Sequence, residues 1–86
     1  MIIHFTQDFQ KKVVKLVLHN DQLRKKLKKQ FQLFQQNPYH LGLRLHKLKG
    51  QRSEQYAIWI DGDLRALAIK DGEVYIFFDL VTHDQY

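Results

Sequence analysis

The sequence predicts an α+β domain with the order β-α-α-β-β-β-β: an N-terminal strand, a helical hairpin, then an antiparallel β-meander. Two observations carry this reading. Apolar residues recur at helical spacing from Phe9 to Phe34, and from Gln55 onward they fall into short alternating or continuous stretches. Asp61-Gly62 and Asp71-Gly72 sit between those stretches. Asp-Gly between apolar runs is a strong hairpin signal, because type I′ turns need positive φ at both central residues.

Residues 1–5 (MIIHF) read as a short strand that joins the sheet, since alone it has no backbone hydrogen-bond partners. Thr6 or Asp8 supplies an oxygen to cap the first helix. Phe9, Val13, Leu16 and Val17 then line one face of it. His19-Asn20-Asp21 breaks the pattern, and Asp21 is the expected cap of a second helix with Leu23, Leu27, Phe31 and Phe34 on one face. Asn37-Pro38 stops that helix, because a residue before proline is pushed out of the α region. Leu43, Leu45 and Leu48 mark a strand that also carries Arg44, His46 and Lys47. Strands follow over Gln55–Asp61, 64–70 and 73–79. The helices 9–18 and 22–36 should pack on one face of a twisted antiparallel sheet. Trp59, or its neighbours Ile58 and Ile60, should fill the core from the sheet side.

The 86 residues are expected to form a single domain, because two would each be too small to hold a core. There is no cysteine, which excludes a disulfide framework, a thiol nucleophile and a Cys-type zinc site. No apolar run approaches the ~20 residues of a membrane span, and the first residues lack a signal-peptide pattern. The expectation is a soluble cytoplasmic protein. Net charge is +5, unevenly spread. Residues 1–36 carry eight Lys/Arg against two acids, a net +6, and residues 37–86 carry six against seven, a net −1. A basic half points to a polyanion or an acidic partner, and competes with the plainer reading of a solvated helix face.

Arg44, His46, Lys47, Lys49 and Arg52 fall within nine residues. In a strand, Arg44 and His46 share one face and Lys47 takes the other. Arg65 alternates with Leu64 and Ala66 and so faces away from them. An arginine inside an apolar strand needs a partner or a role, since burying it unpaired is costly. His83 and Tyr86 lie just past the last strand. Arginine forks bind phosphate, aromatics stack on bases, and histidine or tyrosine can move a proton, so this set fits an RNA site. No histidine spacing suits a metal, and no phosphate-binding or nucleophile-elbow motif occurs. No cofactor is expected. Tyr75, Phe77 and Phe78 read as core and edge packing.

Asn37-Pro38, Leu45-His46-Lys47-Leu48-Lys49-Gly50, Gly62-Asp63-Leu64-Arg65-Ala66 and Thr82-His83-Asp84-Gln85-Tyr86 occur in that order. Together they resemble the RelE/ParE toxin superfamily, and within it RelE-type members with the layout NP…LxxHxLxG…GDYR…GTHDxxY. The resemblance implies a RelE/ParE-like fold and the toxin of a type II toxin–antitoxin pair. It implies a metal-independent mRNA endoribonuclease acting on translated mRNA at the ribosome, with a cognate antitoxin as partner. By matching position, Arg65 is the phosphate clamp, His83 the general acid or base, and Tyr86 the residue that stacks or donates a proton. Arg44, His46, Lys47, Lys49 and Arg52 form the RNA-binding stretch. Val81 stands where the commoner pattern has Gly, and Leu64 where it has Tyr or His. Two alternatives remain: a ParE-like toxin of the same fold directed at DNA gyrase, and a non-catalytic RNA- or ribosome-binding module.

Overall fold

The structure is a computed structural model and describes residues 2–82. In chain order it has β1 (Ile2–Phe5), α1 (Gln7–Val17), α2 (Asp21–Gln36), β2 (His46–Lys47), β3 (Gln55–Asp61), β4 (Leu64–Asp71) and β5 (Val74–Thr82). Short 3-10 turns lie at Leu41–Leu43 and Gly50–Arg52. The α+β class and element order are those read from the sequence. The five strands form one sheet in the order β1-β5-β4-β3-β2. Strands β2 to β5 are antiparallel neighbours, whereas β1 runs parallel to β5, with Ile3 opposite Tyr75 and Phe5 opposite Phe77. The sheet is therefore mixed at one edge and not purely antiparallel. The chain passes through Thr6 directly into α1, which lies against β5, so the direction of β1 follows from the helix it feeds.

Side-chain oxygens start both helices. The Thr6 hydroxyl accepts from the Phe9 N–H at 3.1 Å, and Asn20 Oδ1 accepts from the Leu23 N–H at 3.0 Å. Asn20, not Asp21, is the cap of α2. Asp21 is already helical and pairs with Arg24 at 2.6 Å, where its charge suits the positive end of the helix dipole. Asn37 is extended (φ −158°, ψ 103°), as a residue before proline must be, and α2 ends there.

Phe9, Val17, Leu27 and Phe34 of the helices are buried against Ile58, Ile60, Ala66, Ala68, Tyr75, Phe77 and Leu80 of the sheet. Val13, Leu23 and Phe31 pack around them. Aromatic edges meet faces here: Phe31–Phe77 and Phe34–Tyr75 each have centroids 4.9 Å apart at 88°. This geometry matches positive ring edges to negative faces. Leu16 is 39% exposed, because its position falls at the margin of the α1 stripe. Ile58 and Ile60 fill the core from β3, and Trp59 does not.

Both meander turns place glycine first of their two central residues. Gly62 (φ 53°) precedes Asp63, and Gly72 (φ 60°) precedes Glu73. Asp63 and Glu73 are not at positive φ, so these are the Gly-X turns of type II′ and not Asp-Gly turns of type I′.

The strand expected over Leu43–Leu48 shrinks to His46–Lys47. Gln30 is the reason. It is 2% exposed, and its Nε2 donates to Gly42 O at 3.1 Å and to Trp59 O at 2.8 Å. The amide thus ties α2 to β3 and draws Gly42 under the helix. The chain stays wound as a 3-10 turn there, with His40 Nδ1 accepting from the Gly42 N–H. Only two residues then reach the β3 edge. Replacing Gln30 with leucine keeps the volume but removes the donor from two carbonyls. The expected loss is about 2 kcal/mol of unfolding free energy, measured by denaturant titration. An unchanged midpoint would contradict the role assigned to Gln30.

Candidate nucleic-acid interface

The helices cover one face of the sheet. On the other, a smaller apolar cluster of Leu48, Ala57, Leu67 and Val81 forms a floor, with Phe78 packed against it. Paired residues share a face, so the register places His46 beside Ala57, Ala57 beside Leu67, and Arg65 beside both Trp59 and Val81. Val81 is 5% exposed and fills this floor, which a glycine could not do.

Arg65 faces away from Leu64 and Ala66, as its alternation requires, and is half-buried. Its guanidinium donates to Gly62 O at 3.1 Å and to Leu64 O at 3.3 Å. These contacts fix the side chain against the β3–β4 turn. Arg65 forms no ion pair among the described residues. β5 ends its described course with Val81 opposite Arg65 and Thr82 opposite Leu64, so it leads the chain to the Arg65 end of the sheet. His83 and Tyr86 lie outside the described residues.

His46, Lys47, Lys49 and Arg52 line one hollow of about 290 Å³ with Leu48 as its apolar member. Arg52 donates to Gln55 Oε1 at 3.4 Å. Lys47 pairs with Tyr56, with its ammonium 6.0 Å from that ring, and so leans toward the helix-covered face. His46 Nδ1 lies 2.8 Å from Arg44 O. A carbonyl only accepts, so Nδ1 donates in this contact and the neutral ring keeps its lone pair on Nε2. Arg44 is separated from this group. The strand expected to carry Arg44 does not reach it; the residue instead caps the Leu41–Leu43 turn at φ 51°. Its guanidinium lies 4.9 Å from the centroid of Trp59.

Sequence reasoning missed Trp59 and Lys26. Trp59 Nε1 donates to Gly62 O at 2.7 Å, and Lys26 Nζ lies 4.8 Å from the same ring. A lone tryptophan between two core isoleucines was the available signal, because strand alternation turns it away from the core. Lys26 carried none, being one of five cations on α2. Among the described residues, no three His, Asp or Glu side chains gather as a metal-binding set.

On the helix side, at the β1 edge of the sheet, an apolar groove of about 360 Å³ runs between the helices. Phe5, Phe9, Val13, Val17, Leu27 and Phe31 line it, and Arg24 and Lys28 stand at its rim.

No protein-family model and no curated relative matches the chain. Solved structures do. YafQ from E. coli superposes with a TM-score of 0.75 at 20% identity, over 96% of this chain and 93% of that one. The YoeB/ParE toxin from Agrobacterium tumefaciens gives 0.76 at 13% identity, over 96% and 99%. The E. coli DinJ–YafQ toxin–antitoxin complex gives 0.73 at 20% identity, over 96% and 92%. With its parallel N-terminal strand, helical hairpin and antiparallel meander, this chain has the RelE/ParE-type toxin fold.

Proposed function

We propose that the chain is the toxin of a type II toxin–antitoxin pair and that it cleaves translated mRNA in the cytoplasm without a metal. The observation that carries this reading is Arg65. Its guanidinium is held at the β3–β4 turn by backbone carbonyls, has no acid partner among the described residues, and sits where β5 leads the chain. In the reaction, the RNA 2′-OH attacks the adjacent phosphorus and the P–O5′ bond breaks. The products are a 2′,3′-cyclic phosphate and a 5′-hydroxyl. The 2′-OH proton needs a base, the phosphorane charge needs a cation, and the 5′ oxygen needs a proton. Arg65 supplies the cation. His83 moves the proton, as base or, beside bound phosphate, as acid. Tyr86 stacks on a base or donates to the leaving oxygen. The hollow formed by His46, Lys47, Lys49 and Arg52 holds the RNA backbone, and arginine forks suit phosphate.

The same reading assigns the inter-helix groove to an acidic, amphipathic segment of the cognate antitoxin. The groove is apolar, its rim is cationic, and residues 1–36 carry a net +6. Such a field speeds association in a salt-dependent way. YafQ of E. coli is itself found in complex with DinJ. Among the described residues, no helix is long and apolar enough to cross a membrane.

Expression of the chain alone is expected to stop growth, with codon-phased 5′ ends appearing in mRNA. Arg65→Ala and His83→Ala should each lower cleavage by about 10²–10⁴ at equal folded protein. Arrested replication with intact mRNA would favour the gyrase-directed toxin, and neither effect would leave a binding module. Lys28→Glu at the groove rim should weaken antitoxin binding about tenfold at low salt, measured by calorimetry, and less at high salt. Unchanged affinity would remove the antitoxin from that groove.

A further inference from the structure

We propose that Trp59, Lys26 and Arg44 form a subsite for a backbone phosphate of single-stranded RNA, flanking the Arg65 position. The proposal rests on the reading of this face as an RNA site and extends it to residues on α2 and on the Leu41–Leu43 turn.

The indole is held rigidly. Trp59 Nε1 and the Arg65 guanidinium both donate to Gly62 O, at 2.7 and 3.1 Å, so the ring and the clamp are tied to one atom. The β3–β4 register shifts between Trp59 and Asp61, and such a bulge re-aims a side chain out of strict alternation. Gln30 fixes the Trp59 backbone from the core side.

Two cations converge on this ring from separate elements. Lys26 Nζ is 4.8 Å and Arg44 Cζ 4.9 Å from its centroid, which leaves the two charges no more than about 10 Å apart. The ring's attraction for an exposed cation is modest; it holds each of them there but neutralises neither charge. Neither cation has an ion pair among the described residues. Asp61 and Asp63 are exposed on the adjoining turn and pair with neither. Lys26 is half-buried, with its ammonium at the ring. Two un-neutralised cations at one aromatic ring suit an anionic ligand.

Arg44 supplies an independent indication. It is the single non-glycine at positive φ among the described residues. Glycine would take that conformation without steric cost, and strain of this kind clusters at functional sites. An arginine there places a guanidinium over Trp59. A phosphodiester bound by Lys26 and Arg44 would pair with both charges.

Trp59 is the chain's one tryptophan, so its emission reports on the subsite. The probe is a short single-stranded RNA made of 2′-O-methyl nucleotides, which binds but lacks the attacking hydroxyl. Titration should change the Trp59 emission to saturation. Lys26→Gln and Arg44→Gln should each weaken binding about tenfold and reduce the salt slope of log affinity by about 0.7. Arg44→Gly should keep or raise the melting temperature yet bind as poorly as Arg44→Gln. Lys15→Gln on α1 should bind like the wild type. Equal affinity and salt slope in the Lys26 and Arg44 variants, or an equal loss in Lys15→Gln, would overturn the subsite. So would an unresponsive wild-type protein. If the variants bind equally while the wild type still cuts mRNA, only the subsite fails. If the titrations behave as expected and no mRNA is cut, the nuclease reading fails and the subsite stands.

Discussion

The side-chain amide of Gln30 sits inside an otherwise apolar layer and donates to two backbone carbonyls, Gly42 O and Trp59 O. An amide buried without partners would cost several kcal/mol, so its position is tightly determined. Three elements are fixed relative to one another through it: α2, the Leu41–Leu43 turn and β3. Arg44 closes that turn, Trp59 lies at the β3 bulge, and Arg65 hydrogen-bonds beside Trp59 at the next turn. The basic and aromatic groups at this end of the sheet are therefore placed by a contact in which, of them, only the Trp59 backbone takes part.

The sheet separates two tasks. Its helix-covered face holds the larger core, where Ala66, Ala68 and Phe77 of the sheet join one cluster with the helical Phe9 and Phe34. Its other face carries only a thin apolar floor of Leu48, Ala57, Leu67 and Val81, and the cations beside it, Arg65, Lys49 and Arg52, have no acid partner among the described residues. Of the two ion pairs among the described residues, one joins Lys12 to Asp79 and the other joins Arg24 to Asp21. Neither draws on Arg44, Lys47, Lys49, Arg52 or Arg65. A face with a dry floor and unneutralised cations suits a ligand that brings flat apolar bases and phosphate charge together.

Much of this was legible in the residues. Helical spacing and strand alternation gave the element order, the core stripe of Phe9, Val13, Val17, Leu27, Phe31 and Phe34, and the outward orientation of Arg65. The errors were where local patterns are degenerate or where distant contacts decide. Asn20 and Asp21 are equally good caps side by side, and the place where the chain turns chose Asn20. Leu43, Leu45 and Leu48 look like a strand, but Gln30 holds the segment off the sheet. The parallel pairing of β1 with β5 has no signature in a five-residue run. The meeting of Lys26, Arg44 and Trp59 joins residues far apart in sequence, and no spacing rule announces it. His83 and Tyr86 follow from motif order, and they lie outside the described residues.

The central claim is that RNA lies on the sheet face opposite the helices. Amide chemical-shift mapping with a non-cleavable single-stranded RNA tests it directly. The account predicts shifts at Arg65, Leu67, Val81, Trp59 and the 46–52 segment, with Val13, Val17, Leu27 and Phe31 unmoved. Shifts confined to the inter-helix groove, with the Arg65 end of the sheet silent, would contradict it.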